Sequence, residues 1–282
     1  MKADYSLSQL CAALDVKRSG YHAWVTAGAS QRERTDDVLR AKIRAVHTQH
    51  RGRYGAPRIQ RELTAQGERH GCKRIARLLR AERLQGLCAR RFVPRTTHSD
   101  HDQPIAPNLL AERPAPTGPN QTWVTDLTYV WTAEGWLYVA VLLDLWSRRV
   151  VGWATAETLH TRLATLALGM AVRHRQPPHG VLHHSDRGRQ YASGEYRGWL
   201  AAAGLEPSMS RAGNPYDNAA MESFNATYKR ECVGLAEAQG GYATRAEATA
   251  DFFNYVEKYY NRVRRHSALG FQSPVDFELQ LN

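Results

Sequence analysis

The chain has 282 residues, 43% of them hydrophobic, with a net charge of +11 and a pI near 9.7. That apolar content suffices for a real core and for two or three compact units, and the basic balance points to a polyanionic partner. The N-terminus lacks a signal-peptide core and no apolar run could span a bilayer, so a cytoplasmic protein is expected. Cys11, Cys72, Cys88 and Cys232 are scattered without a CxxC pair, which speaks against both a zinc site and a disulfide framework.

Residues 1–30 predict a small helical hairpin. Ser6 or Ser8 can cap a first helix carrying Leu10, Ala13 and Leu14, and Ser19 can start a second with Tyr21 and Trp24. Its size suits a helix-turn-helix, as it does many helical hairpins.

Residues 31–93 predict a basic helical region of helix-turn-helix type. From Gln31 to Asp100 there are 18 Lys and Arg against 7 Asp and Glu, a surplus equal to that of the whole chain. Leu39, Ile43 and Val46 form one stripe of a helix over 32–49. Pro57 suits the first turn of a second helix, with Ile59 and Leu63 inside and Gly67 closing it. A third, over 72–84, turns Ile75, Leu78 and Leu79 inward and Lys73, Arg74, Arg77 and Arg80 outward. No acid interleaves between Lys73 and Ala81, so these cations are candidates for DNA phosphates, a few reaching base edges. The alternative is a solvated helix face. Residues 94–120 hold six prolines (94, 104, 107, 114, 116 and 119) and predict a linker, extended rather than packed.

Residues 121–235 follow an ordered plan. Strands are expected at 123–131, 136–144 and 150–155, then a helix over 158–174. A fourth strand at 181–185, a helix over 193–203 and a fifth strand at 205–210 follow. Asp217 or Asn218 then caps a helix bearing Glu222. Strands first, then alternating helices and strands, give an α/β fold: a mixed five-stranded sheet flanked by helices. Residues 236–282 complete this core, with one long helix expected over 244–265. Arg264 and Arg265 at its end are candidates to grip phosphate.

Three acids sit at the joints of this core. Asp126 lies inside an apolar strand, where a charge is costly unless paired or metal-bound. Asp186 ends the fourth strand, pointing into the crevice where sites of open sheets form. Glu222 falls in the first turns of its helix, and Lys229, two turns on, shares its face. Hard divalent cations prefer carboxylate oxygen, and two such ions can clamp both oxygens of an in-line phosphoryl displacement. The other reading makes them a turn cap, a loop acid and a solvated helix acid. Arg187, Asn218 and Asn225 flank the acids as candidates to contact DNA, and Asn225 could instead orient a carboxylate. Of His183 and His184, alternation along the strand puts at least one in the core or behind the site.

The stretches WVTDLTYV, GWLYVAVLLDLWSRRVVGWA, HSDRGRQYAS, SMSRAGNPYDNAAMESFNATYKRE and YYNRVRRHSALGFQSPVDFE resemble the second-frame transposase protein of the insertion-sequence-three family. The match runs from about Arg53 to Phe277. Arg189 departs from it, standing where a small polar residue is expected. The resemblance implies a ribonuclease-H-like integrase core of the retroviral integrase superfamily. It implies that Asp126, Asp186 and Glu222 are the catalytic acids, holding two Mg²⁺ ions for which Mn²⁺ could substitute, and that Lys229 contacts DNA. It implies 3′-end cleavage and strand transfer at the ends of an insertion sequence, by a multimer on DNA. It also implies fusion to, or association with, an upstream-frame helix-turn-helix and leucine-zipper protein. The rival reading is a non-catalytic DNA-binding regulator or domesticated remnant. His266 to Phe277 match a C-terminal signature for which the residues alone suggest no physical role.

Overall fold

In the computed structural model, residues 5–87, 102–211 and 215–280 are described. They fall into two compact units, Met1–Leu87 and Cys88–Asn282.

The first unit is all helical: α1 (Leu7–Ala13), α2 (Arg18–Thr26), α3 (Gln31–Gln49), α4 (Ala56–Ala65) and α5 (Cys72–Ala81). Capping boxes start α1 at Ser6 with Gln9 and α3 at Ser30 with Glu33, each satisfying two orphan N–H groups. The second helix begins at Arg18, ahead of Ser19, with no side-chain cap. The hairpin α1–α2 buries Cys11 but leaves Trp24 exposed. Helices α3, α4 and α5 pack on one another around Leu39, Ile43, Ile59, Leu63, Ile75 and Leu78. Gly67 turns out of α4 at a φ of +87°, which costs glycine nothing. Helix α5 ends three residues sooner than its pattern predicts. Arg83 takes a φ of +56°, and the left-handed residue stops the helix.

The second unit is a five-stranded sheet with helices on both faces. Its strands are β1 (Thr122–Thr132), β2 (Gly135–Asp144), β3 (Val150–Ala156), β4 (Leu182–Ser185) and β5 (Glu206–Met209). Their order is β3-β2-β1-β4-β5. Strands β1, β2 and β3 pair antiparallel, while β4 and β5 run parallel to β1. Strand β2 is apolar on both faces because helices cover both. Helices α6 (Thr161–Arg175), α7 (Arg189–Ala192) and α8 (Gly194–Ala202) lie over Trp123, Ala140 and Leu142. On the other face α9 (Ala219–Tyr228) and α11 (Arg245–Phe253) lie over Val124, Val139 and Val141. Gly152 is required by this packing: a Cβ there would lie 2.3 Å from the Ala167 carbonyl oxygen.

Three expectations are corrected. The described part of the proline-rich stretch, residues 102–120, packs on the sheet edge. The Leu109 N–H donates to Ser208 Oγ at 3.0 Å, the Met209 N–H to the Pro107 carbonyl at 3.3 Å, and Asn108 Nδ2 to Asp217 at 2.8 Å. Proline spacing leaves room only for a 3₁₀ turn at Leu109–Ala111, but it does not prevent docking against an edge strand that needs cover. Gly213 and Asn214 of the expected turn, and residues 88–101, lie outside the described residues. Asn218 holds the N-cap position of α9 but its side chain makes no capping bond, and Asp217 accepts from the backbone and guanidinium of Arg211.

The helix expected over 244–265 is α11 continued by a π-turn, and it ends at Tyr260. Helix α9 passes into a π-helical turn, Lys229–Val233, and the short α10 (Gly234–Glu237). Helix α11 passes into a second π-turn, Asn254–Tyr260. The chain then leaves the helix at Asn261, whose buried amide bonds both the N–H and the C=O of Val150, each at 3.0 Å. The C-terminal signature has a structural role. Ser273 caps α12 (Pro274–Leu279). Its Glu278 pairs with Arg149 at 2.6 Å and Arg175 at 2.8 Å and accepts from Ser147, clamping the turn between β2 and β3.

Candidate active site

Strand pairing brings the first two acids together. Val124 pairs with His184 across the parallel β1–β4 ladder. Asp126 within β1 and Asp186 just past the end of β4, each two residues further on, therefore lie side by side, at strand spacing of about 5 Å. Beyond Val124 no strand pairs with β1 on that side among the described residues, so the acids open into a gap. Helix α9 crosses it and carries Glu222 and Asn225, and Lys229 follows at its C-cap, all three at helical spacing on one stripe.

The electrostatics mark Asp126 as the centre. Burial pushes its carboxyl up to about 7, and the negative charges of Asp186 and Glu222 add to the rise. The Leu127 N–H and Asn225 Nδ2 oppose it, donating to Asp126 at 2.9 and 2.8 Å. Burial also raises the Glu222 carboxyl. The Gly188 N–H donates to Asp186 Oδ1 at 2.9 Å, and a Cβ at Gly188 would lie 2.9 Å from that same oxygen. The glycine lets the loop fold onto the carboxylate.

This donor set is hard oxygen and carries surplus negative charge, which fits a divalent cation. Among the described residues, no three acid, imidazole or thiol groups enclose a single point.

The other predicted residues separate into groups. Lys229 is exposed, with its ammonium 4.7 Å from the centre of the Tyr129 ring. Asn225 serves Asp126. Asn218 is buried and donates to the Thr125 carbonyl at 3.1 Å, so its role is to hold β1. The Arg187 guanidinium donates to the Ser210 carbonyl at 2.8 Å, bracing the Asp186 loop. Both histidines are buried: His183 bonds Tyr196, while His184 bonds Ser208 and Ser210. Burial lowers them to about 3 and about 4, so both are neutral supports.

Three of the predicted phosphate-binding cations are held by acids of the protein itself. Arg264 is buried, 4% exposed, and holds the equally buried Glu231 through two bonds of 2.7 Å. In the helical unit, Arg74 and Arg77 pair with Asp36 of α3 at 2.7 and 2.5 Å. The acid absent from the sequence around α5 is supplied by another helix. Lys73, Arg77 and Arg80 are exposed, and Arg265 donates to the Phe271 carbonyl at 3.2 Å.

Comparison with known proteins agrees with this layout. Profiles described as Integrase core domain match residues 116–215 and 203–274, and one described as HTH-like domain matches residues 33–92. The transposase InsF of insertion sequence IS3A from Escherichia coli (strain K12) is 40% identical over 98% of this chain and 95% of its own length. The chain belongs to the IS3 family of transposases. An uncharacterised 31 kDa protein of insertion element IS600 from Shigella sonnei is 45% identical over 95% of this chain and 97% of its own. A chain of the simian T-cell lymphotropic virus intasome superposes with a TM-score of 0.50 at 16% identity, covering 78% of this transposase and 70% of that chain. The shared fold is the ribonuclease-H-like one. In this transposase the helix-turn-helix type unit is α3–α5, and the integrase core is the sheet with its helices.

Proposed function

We propose that this transposase cuts and joins DNA strands at the carboxylate triad, in a metal-dependent reaction. The observation that carries the proposal is Asp126: a half-buried carboxyl raised to about 7 beside two further acids. A bound cation would favour the ionised form of carboxyls that burial and mutual repulsion disfavour. Asp126, central to the three, would be shared between two Mg²⁺ ions, with Asp186 and Glu222 holding one each; Mn²⁺ fits the same oxygen donors. When bound, the ions supply Lewis-acid stabilisation to the attacking and leaving oxygens.

The chain's own residues do the rest. Asn225 and the Leu127 N–H fix the orientation of Asp126. The Gly188 N–H fixes Asp186. Lys229, exposed on the Glu222 stripe, meets phosphate of the strand being cut. Lys73 and Arg80 on α5 meet phosphates elsewhere on the element end, with Arg265 a further candidate. The domain plan is a helical DNA-binding region over 31–93 ahead of a catalytic part over 121–282. Two ends must be held together for transposition, so the working form is a multimer on DNA. It acts in the cytoplasm, associated with or fused to an upstream-frame helix-turn-helix and leucine-zipper protein; no described helix is long and apolar enough to cross a membrane.

The test is a labelled duplex carrying the element's end, incubated with Mg²⁺ or Mn²⁺ and the protein, both alone and fused to the upstream frame. The proposal expects a new 3′-hydroxyl end and a joined product. Binding without metal-dependent cleavage in both forms would favour a DNA-binding regulator instead.

A further inference from the structure

Beyond the acids, β1 and β2 display three large rings to solvent. Tyr129 is 52% exposed, Trp131 59% and Trp136 43%. Trp131 stands directly opposite Trp136 across the antiparallel ladder. The rings meet edge to face, with centroids 4.8 Å apart for Trp131–Trp136 and 5.0 Å for Tyr129–Trp136. Cross-strand aromatic pairs stabilise a hairpin, but that role does not require three rings to remain about half in water. A contiguous exposed aromatic patch marks a binding surface.

Its position names the occupant. Tyr129 lies three residues from Asp126 on the same strand, about 10 Å along it. Asp126 points toward α9 and Tyr129 toward the opposite face. Lys229 bridges the two, leaving the end of α9 beside the acids and placing its ammonium over the Tyr129 ring. A polyanion strand running from the carboxylates past Lys229 would arrive at the aromatic patch after roughly three nucleotide steps at duplex spacing. Paired bases are already stacked within the duplex. An unpaired base offers a free π-face, and aromatic side chains bind such faces with little regard to sequence.

We propose that Tyr129, Trp131 and Trp136 form a stacking platform for an unpaired nucleobase near the phosphate being cut, with Lys229 holding the phosphate between. The proposal rests on the strand-cutting reading of the site. It makes the protein a reader of frayed or single-stranded ends as well as of duplex.

The test measures binding without divalent metal, so that no cleavage is required of the protein. The probes are a blunt duplex and the same duplex with a three-nucleotide single-stranded end carrying 2-aminopurine. Wild type should bind the tailed duplex more tightly and change the 2-aminopurine emission. Trp131→Ala with Trp136→Ala should weaken the tailed duplex roughly tenfold to hundredfold, with blunt-duplex affinity within about twofold. Trp136→Phe should restore most of the preference, because a ring remains. Equal weakening of both duplexes, or no change in either, would overturn the proposal. So would a fall in solution mass for the double variant, which would assign the patch to contact with a second copy. Thermal melting checks that the variants fold. Metal-dependent cleavage assayed separately keeps a failure of the catalytic reading distinct from a failure of the platform.

Discussion

The side-chain amide of Asn225 donates a 2.8 Å hydrogen bond to the Asp126 carboxylate, joining α9 to the centre of β1. Asn225 holds Oδ2 while the Leu127 N–H holds Oδ1, and together they fix the orientation of the carboxylate. Asn225→Ala removes the donor without disturbing the helix. We expect a 10- to 100-fold loss of cleavage rate, on the order found when a group behind a metal ligand is removed. DNA affinity should stay within about twofold of wild type. Single-turnover cleavage beside a binding titration checks both numbers.

Arg264 and Glu231 form a buried bidentate pair, with the Tyr255 hydroxyl also donating to Glu231 at 3.1 Å. Arg264→Ala strands a buried carboxylate, which costs about 3–5 kcal/mol. Replacing both, Arg264→Met with Glu231→Gln, should cost much less because no charge is left behind. Denaturant melts of the three proteins check the order. If Arg264 served DNA instead, Arg264→Ala would weaken binding and leave stability unchanged.

In the helical unit, hydrogen bonds from Arg77 and Arg74 hold the Asp36 carboxyl down to about 2. A carboxyl unfolded titrates near 3.9. The folded value is the lower, so the pair stabilises fully above about 4, and the contribution is lost as pH falls toward 2. The melting difference between wild type and Asp36→Asn should therefore be constant at neutral pH and shrink below about pH 4. A difference that stays level down to pH 2 would refute the pairing.

Gly152 admits the backbone of α6 to within contact of β3, and a Cβ would meet Ala167 and Ala171 at 2.3 to 2.9 Å. Overpacking of this kind typically costs about 1–3 kcal/mol, so Gly152→Ala should lower the melting temperature of the core. Gly169, with nothing within 4 Å of its built Cβ, supplies the control: Gly169→Ala should be neutral or stabilising, since it sits in a helix.

The sheet, the places of Asp126 and Asp186 at its centre and that of Glu222 on α9 are legible in the sequence, because each depends on local signals. Apolar runs of strand length bounded by glycine, proline or arginine mark β1 to β4, and a lone aspartate inside one of them stands out. What the sequence hides is pairing at a distance. Arg264 follows an aromatic stripe in a basic tail and reads as a surface cation; its partner Glu231 lies 33 residues earlier. Arg74 and Arg77 have no acid nearby in α5, and Asp36 comes from α3, 38 and 41 residues away. The π-turns at Lys229 and Asn254 leave the apolar periodicity almost intact, so a continuous helix is the natural expectation. Tyr129 and Lys229, 100 positions apart, meet only because α9 crosses the open flank of β1.

The measurement that bears most directly on the triad is single-turnover cleavage of a labelled element end by wild type and Glu222→Gln, with DNA binding measured in parallel. The substitution keeps the size of the side chain and removes its charge. Cleavage in Mg²⁺ by wild type, lost by roughly a hundred- to thousandfold in Glu222→Gln while binding is retained, is the predicted result, on the order expected when transition-state charge stabilisation is removed. Cleavage by Glu222→Gln at the wild-type rate would contradict the assignment of Asp126, Asp186 and Glu222 as one catalytic site.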